Sequence, residues 1–157
     1  MATQNIRVGT ASAEQALPWL QHHILAWTGY AFALAQQAGL SPEEAARLFM
    51  QPMLNEKQTT FQADAVRLEQ QAMQNAVIMA AIHGASNVHL ERDEDTWLLK
   101  IVVTDVKQEL ETWGVSLEFF ARWLGEQARL IGEPKGIVYT TWLDGETLSM
   151  QLSLLTE

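Results

Sequence analysis

Apolar residues in the first third of the chain recur so densely that they encircle a helix instead of striping it. Between Trp19 and Ala38, the residues Trp19, Leu20, Ile24, Leu25, Trp27, Tyr30, Phe32 and Leu34 occupy most of the helical circumference. That pattern predicts a helix buried centrally or covered by a second subunit. Ser12 with Gln15 has the form of a capping box before it, Pro18 stands where it starts or kinks the helix, and Gly39 supplies a stop. Ser41-Pro42-Glu43-Glu44 predicts a second, short helix through Leu48, Phe49 and Met50, with Pro52 disturbing its end. Thr59 and Gln62 form another capping-box pattern before a third helix over about 61–83, with Phe61, Ala65, Leu68, Ala72, Ala76 and Met79 on one face. Its first half is polar on the other face and its second half, Ala76 to Ile82, is wholly apolar. The helix is therefore expected to begin at the surface and end in the core, with Gly84 as its stop.

The period then changes from helical to alternating. Val88 to Arg92 and Trp97 to Val103 read as strands joined by the charged turn Asp93-Glu94-Asp95-Thr96. After an acidic connector, Ser116 caps a helix to about Ile131, ended by Gly132 and Pro134. Ile137 to Leu143 and Glu146 to Leu155 flank Asp144-Gly145, a pair suited to a two-residue type I′ turn. That turn would pair Leu143 with Glu146, Thr141 with Leu148, Tyr139 with Met150 and Ile137 with Leu152. One hairpin face is then mainly apolar, and the other carries Val138, Thr140, Trp142, Thr147, Ser149 and Gln151, so the sheet is expected to be covered on one side. The reading is an α+β chain of order ααα-ββ-α-ββ, N-terminal helices packed on an antiparallel sheet. Residues 1–11 are expected to form a loose arm before a single domain, 12–157.

Composition narrows the function without naming it. The 157 residues are 48% apolar and 18% charged, which describes a globular chain long enough for one substantial core. A formal charge of −9 argues against nucleic acid and anionic membrane as partners, because both repel an acidic surface. No cysteine is present, so disulfides, thiolate nucleophiles and iron–sulfur ligation are excluded, and a reducing cytoplasm is the expected location. The opening residues hold no apolar core of the signal-peptide kind, and no run reaches the ~18 apolar residues of a membrane span.

Chemistry is sparse. No phosphate-binding loop, GxSxG or HExxH is present. His22 and His23 are adjacent on a helix and point about 100° apart, so they do not share one ion. A site joining His23, His83 and an acid is allowed but not demanded by spacing, and the histidines are expected to be ordinary ones; no metal and no cofactor is expected. Glu91, Asp93, Glu94 and Asp95 lack the alternation of a calcium loop and read as a solvated hairpin tip. The helical corner Leu34 to Phe49 has a helix-turn-helix cadence, yet its second helix offers Glu43, Glu44 and one Arg47 to a phosphate backbone. Six tryptophans are many for this length and imply a core, an interface or an aromatic-lined pocket. The residues marked for lining such a pocket are His23, Trp27, Tyr30, His83, Trp123 and Tyr139.

The element order over residues 12–155 resembles that of the vinyl-reductase-type and amino-thiazoline-carboxylate hydrolase-like domains, and is similar to the related heme-NO-binding and trafficking-particle folds. The resemblance implies a helical layer on an antiparallel sheet, dimeric, enclosing an apolar ligand. Relatives of that kind often carry cysteines near the second hairpin, which this chain lacks, so no thiol or metal chemistry transfers. Three functions follow as expectations. The first is a non-catalytic small-molecule-binding or regulatory domain for an apolar or aromatic ligand held between the first and third helices and the sheet. The second is a homodimeric interaction module, and the third a hydrolase-like enzyme using His23 or His83 as base.

Overall fold

Capping chemistry sets most of the helix ends. A computed structural model describes residues 13–55 and 63–155. The N-terminal arm, Ser12 of the first capping pair, and Thr59, Phe61 and Gln62 lie outside the described residues. The first helix, α1 (Ala13–Gln37), contains Pro18 and ends in a turn around Gly39. There the Leu40 N–H donates to the Ala35 carbonyl at 3.0 Å and the Gly39 N–H to that of Gln36 at 2.9 Å. This Schellman arrangement needs the positive φ of 75° that Gly39 supplies. Ser41 and Glu44 then bond reciprocally, backbone to side chain, at 2.8 and 3.2 Å and open α2 (Pro42–Asn55). The third helix, α3 (Ala65–His83), is capped by Asp64, whose carboxylate accepts the Arg67 N–H at 2.9 Å.

Strands β1 (Val88–Asp93) and β2 (Thr96–Val102) follow, then α4 (Thr104–Thr112), α5 (Leu117–Gly132), β3 (Ile137–Asp144) and β4 (Thr147–Leu154). Ser116 caps α5 by accepting the Phe119 N–H at 3.1 Å. The four strands form one antiparallel sheet of order β1-β2-β4-β3. Leu99, Ile101, Leu148 and Leu152 lie fully buried on the face covered by α3 and α5. The other face is open, as its hydroxylic alternation implied. Among the described residues of that face only small Ser149, flanked in register by Lys100 and Trp142, is buried. The architecture is α+β with helices ahead of the strands. Among the described residues no helix is long and apolar enough to cross a membrane.

Four local expectations are corrected. The acidic connector after β2 is helical, and its apolar pair Val106 and Leu110, four residues apart, is buried beneath α4. The last hairpin turns one residue later than expected, on Gly145-Glu146, so Asp144 pairs with Thr147 and Leu143 with Leu148. Positive φ occurs at Gly145 (59°) but not at Glu146, the pattern of a II′ turn with glycine first. The slip moves each partner by two residues, so the same side chains still face the core.

The other two corrections concern burial. In α3 the buried residues are Leu68 and Ala72 in the first half, whereas Val77 and Ile78 in the apolar second half are exposed. Most important, α1 is not central. Gly29, Phe32 and Ala35 are buried along one side, but Trp19 and Trp27 are 63% and 68% exposed. The apolar face of the sheet is already filled by α3 and α5, leaving α1 to lie along α4 and the end of α3.

Candidate functional site

The end of α3 is built to hold one imidazole in place. Gly84, with φ 87°, turns the chain after His83, and the Asn87 side chain donates to the His83 carbonyl at 2.7 Å. The Gln21 amide donates to the Ala81 carbonyl at 2.7 Å, which ties α1 to the same turn. These bonds satisfy helix-end carbonyls that have no partner within the helix. They also leave a cleft of about 580 Å³ between α1, α3, β2 and α4. Pro18, Gln21, His22 and Leu25 line it from α1, and Ile82 and His83 from α3. Asn87, Val102 and the polar face of α4 (Asp105, Gln108, Glu109, Thr112) close it.

The polar groups differ in state. Burial pushes the His83 imidazole below its ordinary pKa of 6.5, opposed by the nearby charge of Asp105, so the ring is neutral at pH 7. Asp105 and Glu109, one helical turn apart, face the same way from α4. The Glu109 side chain is only 18% exposed, and one of its oxygens accepts the Trp113 indole N–H at 3.2 Å. The other stands 3.8 Å from Nδ1 of His22, a solvent-facing ring. Among the described residues no lysine or arginine lines the cleft. Its field is therefore that of two carboxylates beside a neutral imidazole, and it favours a cation. A carboxylate and an ammonium 4 Å apart in such a partly buried place attract by roughly 4 kcal/mol before desolvation is subtracted.

The six residues marked from the sequence do not converge on one cavity. His83 alone lines this cleft. His23, Trp27 and Tyr30 sit on the outer side of α1, where with Trp113 they rim a shallow hollow of about 380 Å³. Trp19 packs on His23 with ring centroids 3.8 Å apart and planes tilted by 32°, and Tyr30 meets Trp113 edge-on at 5.4 Å. Trp123 packs among Phe32, Phe49 and Phe120, and its buried indole N–H has no acceptor among the described residues. Tyr139 lies under α3, its hydroxyl accepting from Asn75 at 3.3 Å, and burial raises its pKa against that bond. His23, Trp27 and Tyr30 are parted from His83 by the two-sidedness of α1, which buries Phe32 and leaves Trp27 and Tyr30 exposed.

The groups that sequence reasoning missed are Asp105, Glu109 and Gln21. The signal for the first two was present. Asp105 and Glu109 alternate with Val106 and Leu110 at helical spacing, which marks α4 as an amphipathic turn with a carboxylate face. Among the described residues no group of three histidines and acids gathers as a metal site. Comparison with protein-family models, curated proteins and solved structures finds no match to this chain.

Proposed function

We propose that the chain is a non-catalytic small-molecule-binding module, and that the cleft between α1, α3 and α4 takes a ligand with a cationic head and an apolar body. The observation that carries the reading is Glu109, a mostly buried carboxylate that faces a cleft to which, among the described residues, no lysine or arginine contributes. Charged side chains are rarely buried unless paired, and His22 and Trp113 satisfy Glu109 only in part. Leu25, Ile82 and Val102 provide the apolar wall, and the volume lies in the range of small-molecule pockets. Gln21 and Asn87, each held by a bond to α3, and Gln108 on α4 supply polar groups of the kind that orient a ligand.

Binding is favoured over hydrolysis by the company His83 keeps. It is a neutral base, but the one hydroxyl in the lining, that of Thr112, is engaged with the Gln108 carbonyl at 3.1 Å. No nucleophile and base stand paired there, as covalent catalysis requires.

Native mass spectrometry of gently purified full-length chain tests the reading. A retained basic small molecule is expected, lost in the Asp105→Asn/Glu109→Gln double variant. An adduct that persists unchanged in that variant contradicts it.

A further inference from the structure

The outer side of α1 is apolar, long and uncharged. Leu17, Leu20, Ile24, Trp27, Ala31 and Leu34 follow one another at alternating spacings of three and four residues. All but Ala31 are exposed, and Ala31 is half-buried. This 3.5-residue repeat is the seam by which one helix pairs with another of the same kind. Trp19, His23 and Tyr30 flank it, and the hollow beside Trp27 offers a socket to a facing side chain. From Gln15 to Pro42 the chain has no Asp, Glu, Lys or Arg, although the whole carries a charge of −9.

We infer that this face is the interface of a homodimer, α1 packed against α1 of a second copy. Three observations select the second copy as occupant. Leu17, Trp19, Leu20, Ile24, Trp27, Tyr30 and Leu34 are all exposed and together present on the order of 700 Å², close to the roughly 800 Å² each partner of a standard interface contributes. Two copies of so acidic a chain repel one another over most of their surfaces, and α1 is the stretch where they meet without that repulsion. A helix that lies on an anionic lipid surface carries Lys and Arg along its polar side, and α1 has neither. The inference is independent of the ligand in the cleft, which is lined by the opposite side of the helix.

Light scattering on the full-length chain at about 50 μM provides the test. The expected mass is twice the chain's 17.6 kDa. Ile24→Glu is expected to give a monomer with an unchanged far-ultraviolet circular dichroism spectrum, while Trp142→Glu, on the open sheet face, stays dimeric. The Ile24→Ala/Trp27→Ala double variant gives a second readout that adds no charge, and a monomer with an unchanged circular dichroism spectrum is expected. A monomeric wild type, a dimeric Ile24→Glu, a monomeric Trp142→Glu, or an Ile24→Ala/Trp27→Ala that stays fully dimeric overturns the inference. Sedimentation of a monomeric chain with phosphatidylglycerol vesicles would assign the face to lipid instead and also overturn it.

Discussion

The indole of Trp113 lies so close over Gly29 that a Cβ at that position would stand 2.5 Å from Trp113 Cδ1. The missing side chain lets α1 and the end of α4 approach, and it places the indole N–H where Glu109 accepts it. One glycine thus connects the packing of α1 to the orientation of the carboxylate in the cleft.

Gly29→Ala is therefore expected to destabilise, against the usual preference. Alanine in a helix gains about 1 kcal/mol over glycine. Overpacking a fitted contact costs about 1–3 kcal/mol, and Trp113 is held by both Tyr30 and Glu109. The net loss is expected to be about 1 kcal/mol, or a Tm lower by about 3 °C. The indole resonance of Trp113 should move with it. A higher Tm with an unmoved resonance would show that the contact is not tight.

The neutral state of His83 has a pH signature. Its folded pKa lies below the 6.5 of the unfolded chain because of burial, against the pull of Asp105. Below 6.5 the unfolded state takes up a proton that the folded state refuses, so stability is full above that pH and falls as pH drops towards the folded pKa. Chemical denaturation at pH 8 and pH 5.5 should show a larger loss for the wild type than for His83→Gln. Equal losses would place the ring in solvent.

Glu126 works in the opposite sense from most buried charges, because it is fully engaged. It is 8% exposed and accepts from Arg47 Nε at 2.8 Å and from Arg129 Nε and a terminal nitrogen of the same guanidinium at 2.7 and 2.9 Å, joining α2 to α5. The two Arg129 bonds, with the one from Arg47, hold its pKa below the ordinary 4.5 despite partial desolvation. Its contribution is present above pH 4.5 and lost as pH falls through the folded value. Both arginines are about half exposed and rehydrate when released. Glu126→Gln should thus cost about 1–2 kcal/mol at pH 7, not the 3–5 of a fully buried pair. Its acid unfolding limb should be flatter than that of the wild type, and an unchanged limb would remove Glu126 from the account.

Local signals in the sequence located the elements well. Ser41 with Glu44 and Ser116 with Phe119 act through short-range bonds that need no knowledge of the rest of the chain. Gly145 shows the limit, since Asp144-Gly145 and Gly145-Glu146 both make two-residue turns. The choice falls to Glu146, whose carbonyl accepts the Val103 N–H at 2.8 Å and whose carboxylate takes Lys107 at 2.7 Å and Thr104 at 2.8 Å. Those partners are about 40 residues away. The same limit hid the cleft. Periodicity showed α1 to be apolar on all sides, but which side faces inward depends on Gly29 meeting Trp113 and on α3 and α5 already covering the sheet. His83 was marked because it is a histidine beside a helix stop. Asp105 and Glu109 passed as connector charge because α4 was not read as a helix.

The central claim is that the α1–α3–α4 cleft recognises a cation with an apolar body, and an NMR titration of uniformly ¹⁵N-labelled full-length chain tests it most directly. Phenethylamine and 3-phenylpropionate share a phenyl body and differ in the sign of the head. The account predicts saturable shifts of the Gln21, Asn87 and Gln108 side-chain amides with the amine. It predicts none with the carboxylate, and at least a tenfold weaker response to the amine in Glu109→Gln. Equal responses to both probes, or shifts confined to the outer side of α1 around Trp27, would contradict it.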